Sequence, residues 1–321
     1  MNLLVTGADG FVGRWLVPRL LDAGHAVTGT GLGDDCMTGS WTANVRSRIS
    51  WRRMDLTDAT SVGTATAGDW DGVVHLAAMA SGSEARQDPG RAWEINASGT
   101  ARIAEALVRQ RTRGKVDPLL LLISTGEVYG TSKPVPVGRD ARLDTDALEP
   151  CSPYAASKLG GEIAAQEAAR RSGLRVVIAR AFPHTGPGQS EQYVVPAFAR
   201  RLRTARTAGA RVIKTGNLEP VRDFLDVRDV VEAYALLLSA GKPGRVYNVA
   251  SGEGRSLREI LFQLAERIGV NPIPEVDAVF ARGSDIATLI GDASRLRADT
   301  GWVPRISFEQ TLQDVVDAQA D

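Results

Sequence analysis

The sequence predicts an α/β protein built on a doubly wound parallel sheet, with a second, smaller α/β domain in its C-terminal part. Two observations lead to this fold class. Short apolar segments alternate with amphipathic helical patterns through the first part of the chain, and the alternation weakens beyond Pro183. A helix between two strands crosses back over the sheet, so that neighbouring strands run in parallel and both faces are covered.

The elements follow one another in a regular order. In the first part we predict strands at Leu3–Thr6, Ala26–Thr30, Ser50–Met54, Gly72–Leu76, Leu119–Ser124 and Arg175–Ala179, with helices near Val12–Ala23, Arg91–Arg111 and Pro153–Ser172. Further on we predict helices near Glu191–Ala208, Asp226–Ala240, Leu257–Ile268 and Phe308–Ala318, with strands at Arg211–Lys214 and Val246–Val249. Residues 1–180 and about 225–250 are therefore assigned to the first domain, and about 181–224 and 251–321 to the second.

The composition is that of an ordinary globular protein. The chain has 321 residues, of which 24% are charged and 43% hydrophobic, and its formal net charge of zero argues against a nucleic-acid partner. An apolar run of about 18 residues, as a membrane span requires, is missing, and the N-terminus does not read as a signal segment. Two cysteines, Cys36 and Cys151, form no disulfide framework and favour a cytoplasmic location.

The first predicted strand ends in a glycine-rich turn that leads into the first helix. Gly7 would permit the tight bend, Gly10 would let a pyrophosphate approach the backbone, and Gly13 would let the helix pack closely on the strand. The helix N-terminus would then face the phosphates with its free N–H groups. This arrangement is typical of a Rossmann-type dinucleotide-binding domain, and the alternative is an ordinary glycine-rich turn.

Ligands of a doubly wound sheet bind at the carboxyl ends of its strands, where further polar residues occur. Asp34 and Asp35 follow the second strand, slightly beyond the position at which an acid selects NAD and a base selects NADP. A ribose contact and a solvated acidic turn both stay open for this pair. Asp55 and Leu56 follow the third strand and could flank the adenine, whereas His75 lies in an apolar run and is predicted to pack in the core.

A tyrosine and a lysine lie four residues apart on one helical face, at Tyr154 and Lys158. A free tyrosine has a pKa of about 10, and a nearby ammonium favours its phenolate. The tyrosine can then exchange a proton with a substrate oxygen while a hydride moves at carbon. Ser124 and Thr125 close the fifth strand, where a hydroxyl could polarise the same oxygen. The alternative for the Tyr–Lys pair is a surface helix turn.

Taken together, these segments resemble the extended short-chain dehydrogenase/reductase family, the nucleotide-sugar epimerases, dehydratases and reductases. The similar segments are TGADGFVG at 6–13, DLTD at 55–58, HLAA at 75–78, Asn96 with Gly99 and Thr100, STGEVYG at 124–130, SPYAASK at 152–158 and RDFLDVRD at 222–229. Within the family, the chain most resembles the GDP-4-keto-6-deoxy-D-mannose reductases. The segments that carry this similarity are HTGPGQ at 184–189, GNLEP at 216–220, VYNVASG at 246–252 and GDASRLRADTGW at 291–302. The GDP-mannose 4,6-dehydratases share part of this.

The resemblance implies roles for particular residues. The catalytic residues would be Thr125, Tyr154, Lys158 and Glu127. NADP or NAD would be bound by Gly7, Asp9, Gly10, Phe11, Val12, Gly13, Asp55, Leu56, Leu76, Ala77, Ala78, Tyr154 and Lys158. The nucleotide sugar would contact Thr125, Tyr154, Arg222, Arg282 and Asp285, the arginines gripping its diphosphate; for Arg222 a salt bridge to Asp223 or Asp226 is the alternative. A metal is not expected.

The implied reaction is the NAD(P)H-dependent reduction of a 4-keto-6-deoxy sugar nucleotide, such as GDP-4-keto-6-deoxy-D-mannose, to GDP-D-rhamnose or its C4 epimer. A 4,6-dehydratase, which would use Glu127 as its carboxylate, and a 4-epimerase stay open, as does a dinucleotide-binding sensor without catalysis. The resemblance also implies a homodimer in which helices 91–111 and 153–172 pair across a two-fold axis. Two departures affect the substrate site: Pro183 replaces the family's usual asparagine, and Gly283 replaces a proline beside Arg282.

Overall fold

The computed structural model describes residues 1–35, 41–114, 116–130, 141–277 and 286–319. Its strands are β1 (Asn2–Thr6), β2 (Ala26–Gly31), β3 (Ser50–Arg53), β4 (Gly72–His75), β5 (Leu119–Thr125), β6 (Arg175–Ala181), β7 (His184–Thr185), β8 (Val212–Thr215), β9 (Val221–Asp223), β10 (Leu225–Asp226), β11 (Val246–Val249), β12 (Gly254–Ser256), β13 (Ile273–Val276) and β14 (Thr288–Leu289).

Its helices are α1 (Phe11–Asp22), α2 (Ala43–Arg48), α3 (Ala59–Ala65), α4 (Gly82–Gln87), α5 (Pro89–Trp93), α6 (Gly99–Thr112), α7 (Pro153–Ser172), α8 (Val194–Ala208), α9 (Val227–Ala240), α10 (Leu257–Ile268), α11 (Ser294–Thr300) and α12 (Phe308–Ala318). A π-helical turn covers Glu94–Ser98, and a 3₁₀ turn covers Gly126–Tyr129. None of the helices in the described ranges combines the length and the apolar character that a membrane crossing needs.

Seven parallel strands form the central sheet of the described chain, in the order β11-β6-β5-β4-β1-β2-β3. The strand order reverses beside β1, because β2 and β3 extend to one side and β4, β5, β6 and β11 to the other. This reversal opens a crevice at the carboxyl ends of β1 and β4, where ligands of doubly wound sheets bind. The predicted fold class is therefore confirmed.

Each face of the sheet carries its own apolar cluster. Leu3 and Val5 pack with α1 and α9, whereas Leu4 packs with α6 and α7, since successive strand residues point to opposite faces. In β5 the same alternation sends Leu119 and Leu121 to the α1 face, and Leu120 and Leu122 to the α7 face. A third cluster lies in the C-terminal part, between α8, β8, α10 and α12.

The predicted elements are present, with ends that differ by a few residues, and α7, α10, α12 and β11 have the predicted bounds. The helix predicted near Arg91–Arg111 is present as an unbroken helical run from Pro89 to Thr112, in which a π turn lies between α5 and α6. A π turn accommodates one extra residue and turns the side chains around it. Here it contains Asn96, whose amide donates to Met79 O (3.2 Å) and accepts from Met79 N (2.8 Å) in the loop after β4.

Several short C-terminal elements were not predicted. β9 pairs antiparallel with β12 and parallel with β14, and β8 pairs with β13. Strands of two to four residues carry too little periodicity to be recognised in sequence. α11 and the following Trp302 pack into the cluster on the α1 face of the central sheet rather than into the third cluster. The chain thus returns to the sheet at α11, before α12 joins the third cluster.

Candidate active site

The glycine turn after β1 has the geometry that its sequence predicts. Gly7 has a φ of +64°, which favours glycine, and a Cβ there would lie 2.9 Å from the backbone of Ala77. A Cβ at Gly13 would lie 2.4 Å from Ala8 O, so the first turn of α1 packs directly on the strand end. Gly10 is exposed and stands at the N-cap of α1, where its N–H donates to Gly7 O (3.0 Å).

These residues fit a dinucleotide. A 12-residue helix begins beside an exposed glycine, so its first N–H groups can meet a diphosphate. The small, half-buried side chains of Ala77 and Ala78 follow β4, and Ala77 lies against Gly7. Phe11 and Val12 are half-buried at the start of the helix. Phe11 stacks on His184, with ring centroids 6.4 Å apart and planes 7° from parallel, which joins the glycine turn to the segment after β6.

The adenosine end offers charges of both signs. Asp34 and Asp35 are exposed, and Arg53 Nε, at the end of β3, lies 3.9 Å from Asp34 Oδ1. The carboxylate of Asp9 lies against Gly31, since a Cβ at Gly31 would be 2.6 Å from Asp9 Oδ2. The described side chains at the end of β2 therefore do not decide between the ribose hydroxyl of NAD and the phosphate of NADP.

Asp55 and Leu56 lie at the carboxyl end of β3, as predicted, and Leu76 is half-buried after β4. Asp55 Oδ1 accepts hydrogen bonds from the N–H (2.9 Å) and the hydroxyl (2.7 Å) of Thr57, which lower the pKa of Asp55. The Asp55 carboxylate thus stabilises its own turn. Leu56 is buried, and its carbonyl accepts from Arg102 Nη1 (2.6 Å).

Tyr154, Thr125 and Glu127 meet at the carboxyl end of β5. Burial raises the pKa of Tyr154, the charge of Glu127 raises it further, and a side-chain hydrogen bond with Thr125 opposes both. Thr125 Oγ1 also accepts from Glu127 N (3.2 Å) at the start of the 3₁₀ turn. Tyr154 is therefore held as a neutral phenol, beside a hydroxyl and a carboxylate.

Lys158 lies one helical turn beyond Tyr154 and is 8% exposed. Its Nζ donates to Ile123 O (2.5 Å) on β5. Burial lowers the pKa of Lys158 to about 8, and the charge of Glu162 acts in the opposite direction. The structure thus brings together the predicted Thr125, Tyr154, Lys158 and Glu127 at one strand end.

His75 is a buried core residue, as predicted, and its hydrogen bonds hold the strand ends together. Nδ1 lies 2.8 Å from Thr6 Oγ1, and Nε2 lies 3.1 Å from Thr100 Oγ1. Burial, and to a lesser extent the charge of Lys158, lowers the pKa of His75 to about 3, so the ring is neutral at physiological pH. Asn96 Nδ2 donates to Ser157 Oγ (2.9 Å), which fixes the π turn against α7.

Arg222 lies on β9, and its Nη1 donates to Val221 O (2.8 Å). The two carboxylates considered as its partners are engaged by other groups. Asp223 accepts from Ser251 N and Oγ, Gly252 N and Gly291 N, at 2.6–3.2 Å, and Asp226 pairs with Arg228 at 2.7 Å. Arg282, Gly283 and Asp285 lie outside the described residues. Pro183 is half-buried, and its carbonyl accepts from Leu225 N (2.9 Å).

Sequence reasoning missed Tyr193, Glu162 and Arg180 near the site. Tyr193, at the N-cap of α8, is close enough to Tyr154 for their charges to interact. Ser124, Glu162 and Arg180 form a buried polar group beneath Lys158. A signal for two of them was present. Ser124 continues the alternate positions of Leu120 and Leu122, and Arg180 continues those of Val176 and Ile178, where an apolar side chain is expected. In the described chain, histidines, cysteines and carboxylates form no group of three suited to a metal ion.

Comparison with known proteins gives consistent matches over the full chain. A family model described as GDP-mannose 4,6 dehydratase matches residues 4–315. GDP-6-deoxy-D-mannose reductase of Pseudomonas aeruginosa is 34% identical over 316 residues, covering 98% of this chain and 96% of the relative. RMD from Pseudomonas aeruginosa, complexed with NADPH, has a TM-score of 0.81 at 31% identity and coverages of 99% and 98%. UDP-glucose 4-epimerase of Thermus thermophilus, complexed with NAD, has a TM-score of 0.84 at 31% identity and the same coverages.

Proposed function

Because this chain belongs to the extended short-chain dehydrogenase/reductase family of NAD(P)-dependent nucleotide-sugar enzymes, we propose that it reduces the 4-keto group of a nucleotide-linked 4-keto-6-deoxy sugar. The proposed substrate is GDP-4-keto-6-deoxy-D-mannose, and the product is GDP-D-rhamnose or its C4 epimer. The similarity to a GDP-6-deoxy-D-mannose reductase supports this choice of substrate. NADPH and NADH are both candidate reductants, since relatives of the family are seen with NADPH and with NAD.

The observation that carries the proposal is the meeting of Tyr154, Thr125 and Glu127 at the carboxyl end of β5. A reductase needs a proton donor at the keto oxygen, and burial together with Glu127 raises the pKa of Tyr154, which keeps its phenol protonated at neutral pH. An enzyme that begins by oxidising a sugar alcohol needs the phenolate instead. The environment of Tyr154 therefore favours reduction.

In the proposed reaction, bound NAD(P)H supplies the hydride that C4 of the sugar receives. Tyr154 donates its proton to the 4-keto oxygen, so that the ketone becomes an alcohol and the phenol becomes a phenolate. Thr125 donates a hydrogen bond to the same oxygen and orients it. The Lys158 ammonium stabilises the phenolate until a proton from solvent restores the phenol. Gly7, Gly10 and Gly13 would hold the cofactor diphosphate at the N-terminus of α1.

The test measures the oxidation of NADPH and of NADH by the purified protein, each with GDP-linked and with dTDP-linked 4-keto-6-deoxy sugars. We expect one nicotinamide to be oxidised for each molecule of GDP-linked ketosugar, with the 6-deoxy sugar alcohol as product. If both cofactors bind but neither is oxidised with any of these ketosugars, the proposal is wrong. A bound nicotinamide that never changes its redox state would instead support a sensor.

A 4,6-dehydratase is the second candidate, because the charge of Glu127 acts on Tyr154. A carboxylate at this place could remove the C5 proton and protonate the leaving hydroxyl at C6. The two reactions differ in their use of cofactor, since a dehydratase recycles it and a reductase consumes it. Formation of a 4-keto-6-deoxy sugar from GDP-mannose, without net reduction of added NADP, would favour the dehydratase. A 4-epimerase would recycle its cofactor too, but would return a sugar alcohol.

The substrate side of the proposal assigns Arg222, Arg282 and Asp285 to the nucleotide sugar. Guanidinium groups bind phosphate oxygens through paired, charge-assisted hydrogen bonds.

We also propose the predicted domain division, with residues 1–180 and about 225–250 binding cofactor and the remainder binding the sugar nucleotide. The separate apolar cluster of α8, β8, α10 and α12 supports it, although α11 packs with the central sheet.

The proposed enzyme is a cytoplasmic homodimer that pairs α6 and α7 across a two-fold axis. On these helices, a groove lined by Ala101, Ala164 and Gly160 is bordered by Ile163, which is 59% exposed. Trp93, 46% exposed, lies against Gly160 at the same end. Small residues beside large exposed apolar ones are suited to close packing of helices between two copies.

Light scattering of the purified protein should therefore give the mass of a dimer, and Ile163→Glu should give that of a monomer, since it places a charge in the proposed interface. Phe262→Glu is the matched control. Phe262 is also an exposed apolar residue, 40% accessible on α10, but it lies outside this groove and its variant should stay dimeric. A monomeric wild-type protein at micromolar concentration would reject the dimer.

A further inference from the structure

A buried ion pair lies beneath the catalytic helix. Glu162 on α7 is 1% exposed and Arg180 on β6 is 3% exposed. They form a forked pair, with Arg180 Nη2 2.8 Å from Glu162 Oε2 and Nε 3.0 Å from Oε1. Burial disfavours the charge of Arg180, but the hydrogen bonds and charge of Glu162 outweigh it and raise the pKa of Arg180. Arg180 therefore keeps its charge in the folded protein, with the Glu162 carboxylate as its partner.

The partners of this pair fix it in one arrangement. Ser124 Oγ donates to Glu162 Oε1 (2.5 Å), and Ser124 is the register partner of Arg180 across β5 and β6. Arg180 also donates to Tyr129 OH (3.1 Å) and lies over its ring, 5.0 Å from the centroid. Glu162 thus holds two neighbouring strands to α7. Stability alone does not explain the pair, because buried ion pairs can often be replaced by apolar residues at little cost.

The position of Glu162 relative to the catalytic residues suggests another role. Tyr154, Lys158 and Glu162 are spaced four residues apart and share one face of α7. Three consecutive residues of β5 bind them, with Ile123 O on Lys158, Ser124 on Glu162 and Thr125 on Tyr154. The Glu162 carboxylate is therefore held in place by its hydrogen bonds, on the helical turn that follows Lys158.

We propose that Glu162 is a positioning residue for Lys158, supplying the fixed counter-charge that keeps the buried ammonium protonated and in place beneath Tyr154. The catalytic meaning of this inference rests on the proposed function, in which the Lys158 ammonium stabilises the Tyr154 phenolate. The interaction between Glu162 and Lys158 does not depend on the proposed function, because it is a property of the folded chain.

The other groups around Lys158 do not replace this charge. His75 on β4 is neutral at physiological pH, because its pKa is lowered to about 3. Arg180 on β6 has the same sign as the ammonium and is paired with Glu162. Glu127, on the turn after β5, acts on Tyr154. Burial lowers the pKa of Lys158 to about 8, and Glu162 is the charge that opposes this decrease.

The first test is Glu162→Gln, which keeps the shape of the side chain and removes its charge. Residues four apart on a helix have Cβ atoms about 5–6 Å apart, and two charges at about that distance in a partly buried site interact strongly enough to change a pKa by about one to two units. The alkaline decrease of kcat should therefore move to lower pH by about one to two pH units. A variant that merely loosens the fold would lower kcat without moving this decrease.

Three further variants separate charge from structure. Arg180→Gln removes the opposite charge and should not move the decrease to lower pH, although it breaks the same ion pair. The double variant Glu162→Gln/Arg180→Gln removes both charges of the ion pair and should keep the shift, which serves if Glu162→Gln alone does not fold. Glu266→Gln, at an exposed carboxylate on α10, should leave the profile unchanged.

A second measurement uses the cofactor-free protein and needs no activity. Unfolding by urea is followed against pH, and the curve of the corresponding Lys158→Met variant is subtracted. The rise in stability assigned to Lys158 should begin about one to two pH units lower when Glu162 is replaced by Gln. An unchanged onset in both Glu162→Gln and the double variant would overturn the inference, whatever the enzyme reduces. If the onset shifts on replacing Glu162 by Gln while the wild-type protein has no reductase activity, the proposed function alone is overturned.

Discussion

Replacing Lys158 by methionine should make the stability of the protein less dependent on alkaline pH. Burial lowers the pKa of Lys158 from its ordinary 10.5 to about 8. Between these values the unfolded chain binds a proton at this lysine that the folded chain has released, so the free energy of unfolding rises with pH. Below pH 8 both states are protonated, and the full cost of burying the charge is present.

The size of this cost follows from the two pKa values. The difference between 10.5 and about 8, at about 1.4 kcal/mol for each pKa unit, corresponds to about 3 kcal/mol. Lys158→Met removes the buried charge but leaves Ile123 O without its donor, a loss of about 1 kcal/mol. The variant should therefore be more stable than the wild type at pH 7 by about 2 kcal/mol. This advantage should shrink, and then reverse, as the pH rises from 8 to 10.5.

The assay is urea unfolding of the cofactor-free wild type and variant at several pH values from 7 to about 10.5, with the difference in unfolding free energy plotted against pH. Lys214→Met is the control, because Asp277 raises the pKa of exposed Lys214. A group of that kind contributes stability that is fully present below its ordinary pKa of 10.5 and is lost only above it, so the Lys214→Met difference plot should stay level across this pH range. Parallel curves for wild type and Lys158→Met between pH 8 and 10.5 would refute the reasoning.

Two further predictions concern the reaction. Tyr154→Phe should bind NADPH or NADH with nearly unchanged affinity and lose about two to four powers of ten in kcat, since it lacks the proton donor; near-normal turnover would exclude the assigned role. Arg222→Ala should raise KM by about ten- to hundredfold with a smaller effect on kcat, because a diphosphate contact persists in ground and transition states. Unchanged affinity for the sugar nucleotide with a lower Tm would instead assign Arg222 to the fold.

Many elements could be predicted because their signals are local. α7 has Ser152 at its N-cap, whose side chain accepts from Ala155 N, and Gly173 at its C-cap with a φ of +73°. α10 begins with a capping box between Ser256 and Glu259. Such signals lie within a few residues of one another, so they can be recognised in the sequence without knowledge of the fold. The glycine turn is predictable for the same reason.

The parts that could not be predicted depend on contacts between distant segments. The π turn at Glu94–Ser98 interrupts a stretch whose sequence is helical throughout, and its Asn96 is fixed by the loop after β4 and by α7. Tyr193 reaches the surroundings of Tyr154 from the start of α8. Hydrophobic periodicity does not reveal such contacts, because it describes each segment of the chain separately.

The neighbouring hydroxyls of Ser124 and Thr125 show the difference between what the sequence determines and what the tertiary structure decides. The sequence by itself determined that a hydroxyl closes β5, that Tyr154 and Lys158 share a helical face, and that a glycine turn follows β1. The tertiary structure decided that Thr125 bonds Tyr154 and that Ser124 bonds Glu162. Alternation along β5 turns Ser124 towards α7, whereas Thr125 lies at the strand end beside the first turn of that helix. The physical reason is that a side chain acquires its partner, and a buried charge its pKa, only when the sheet and the helix have packed.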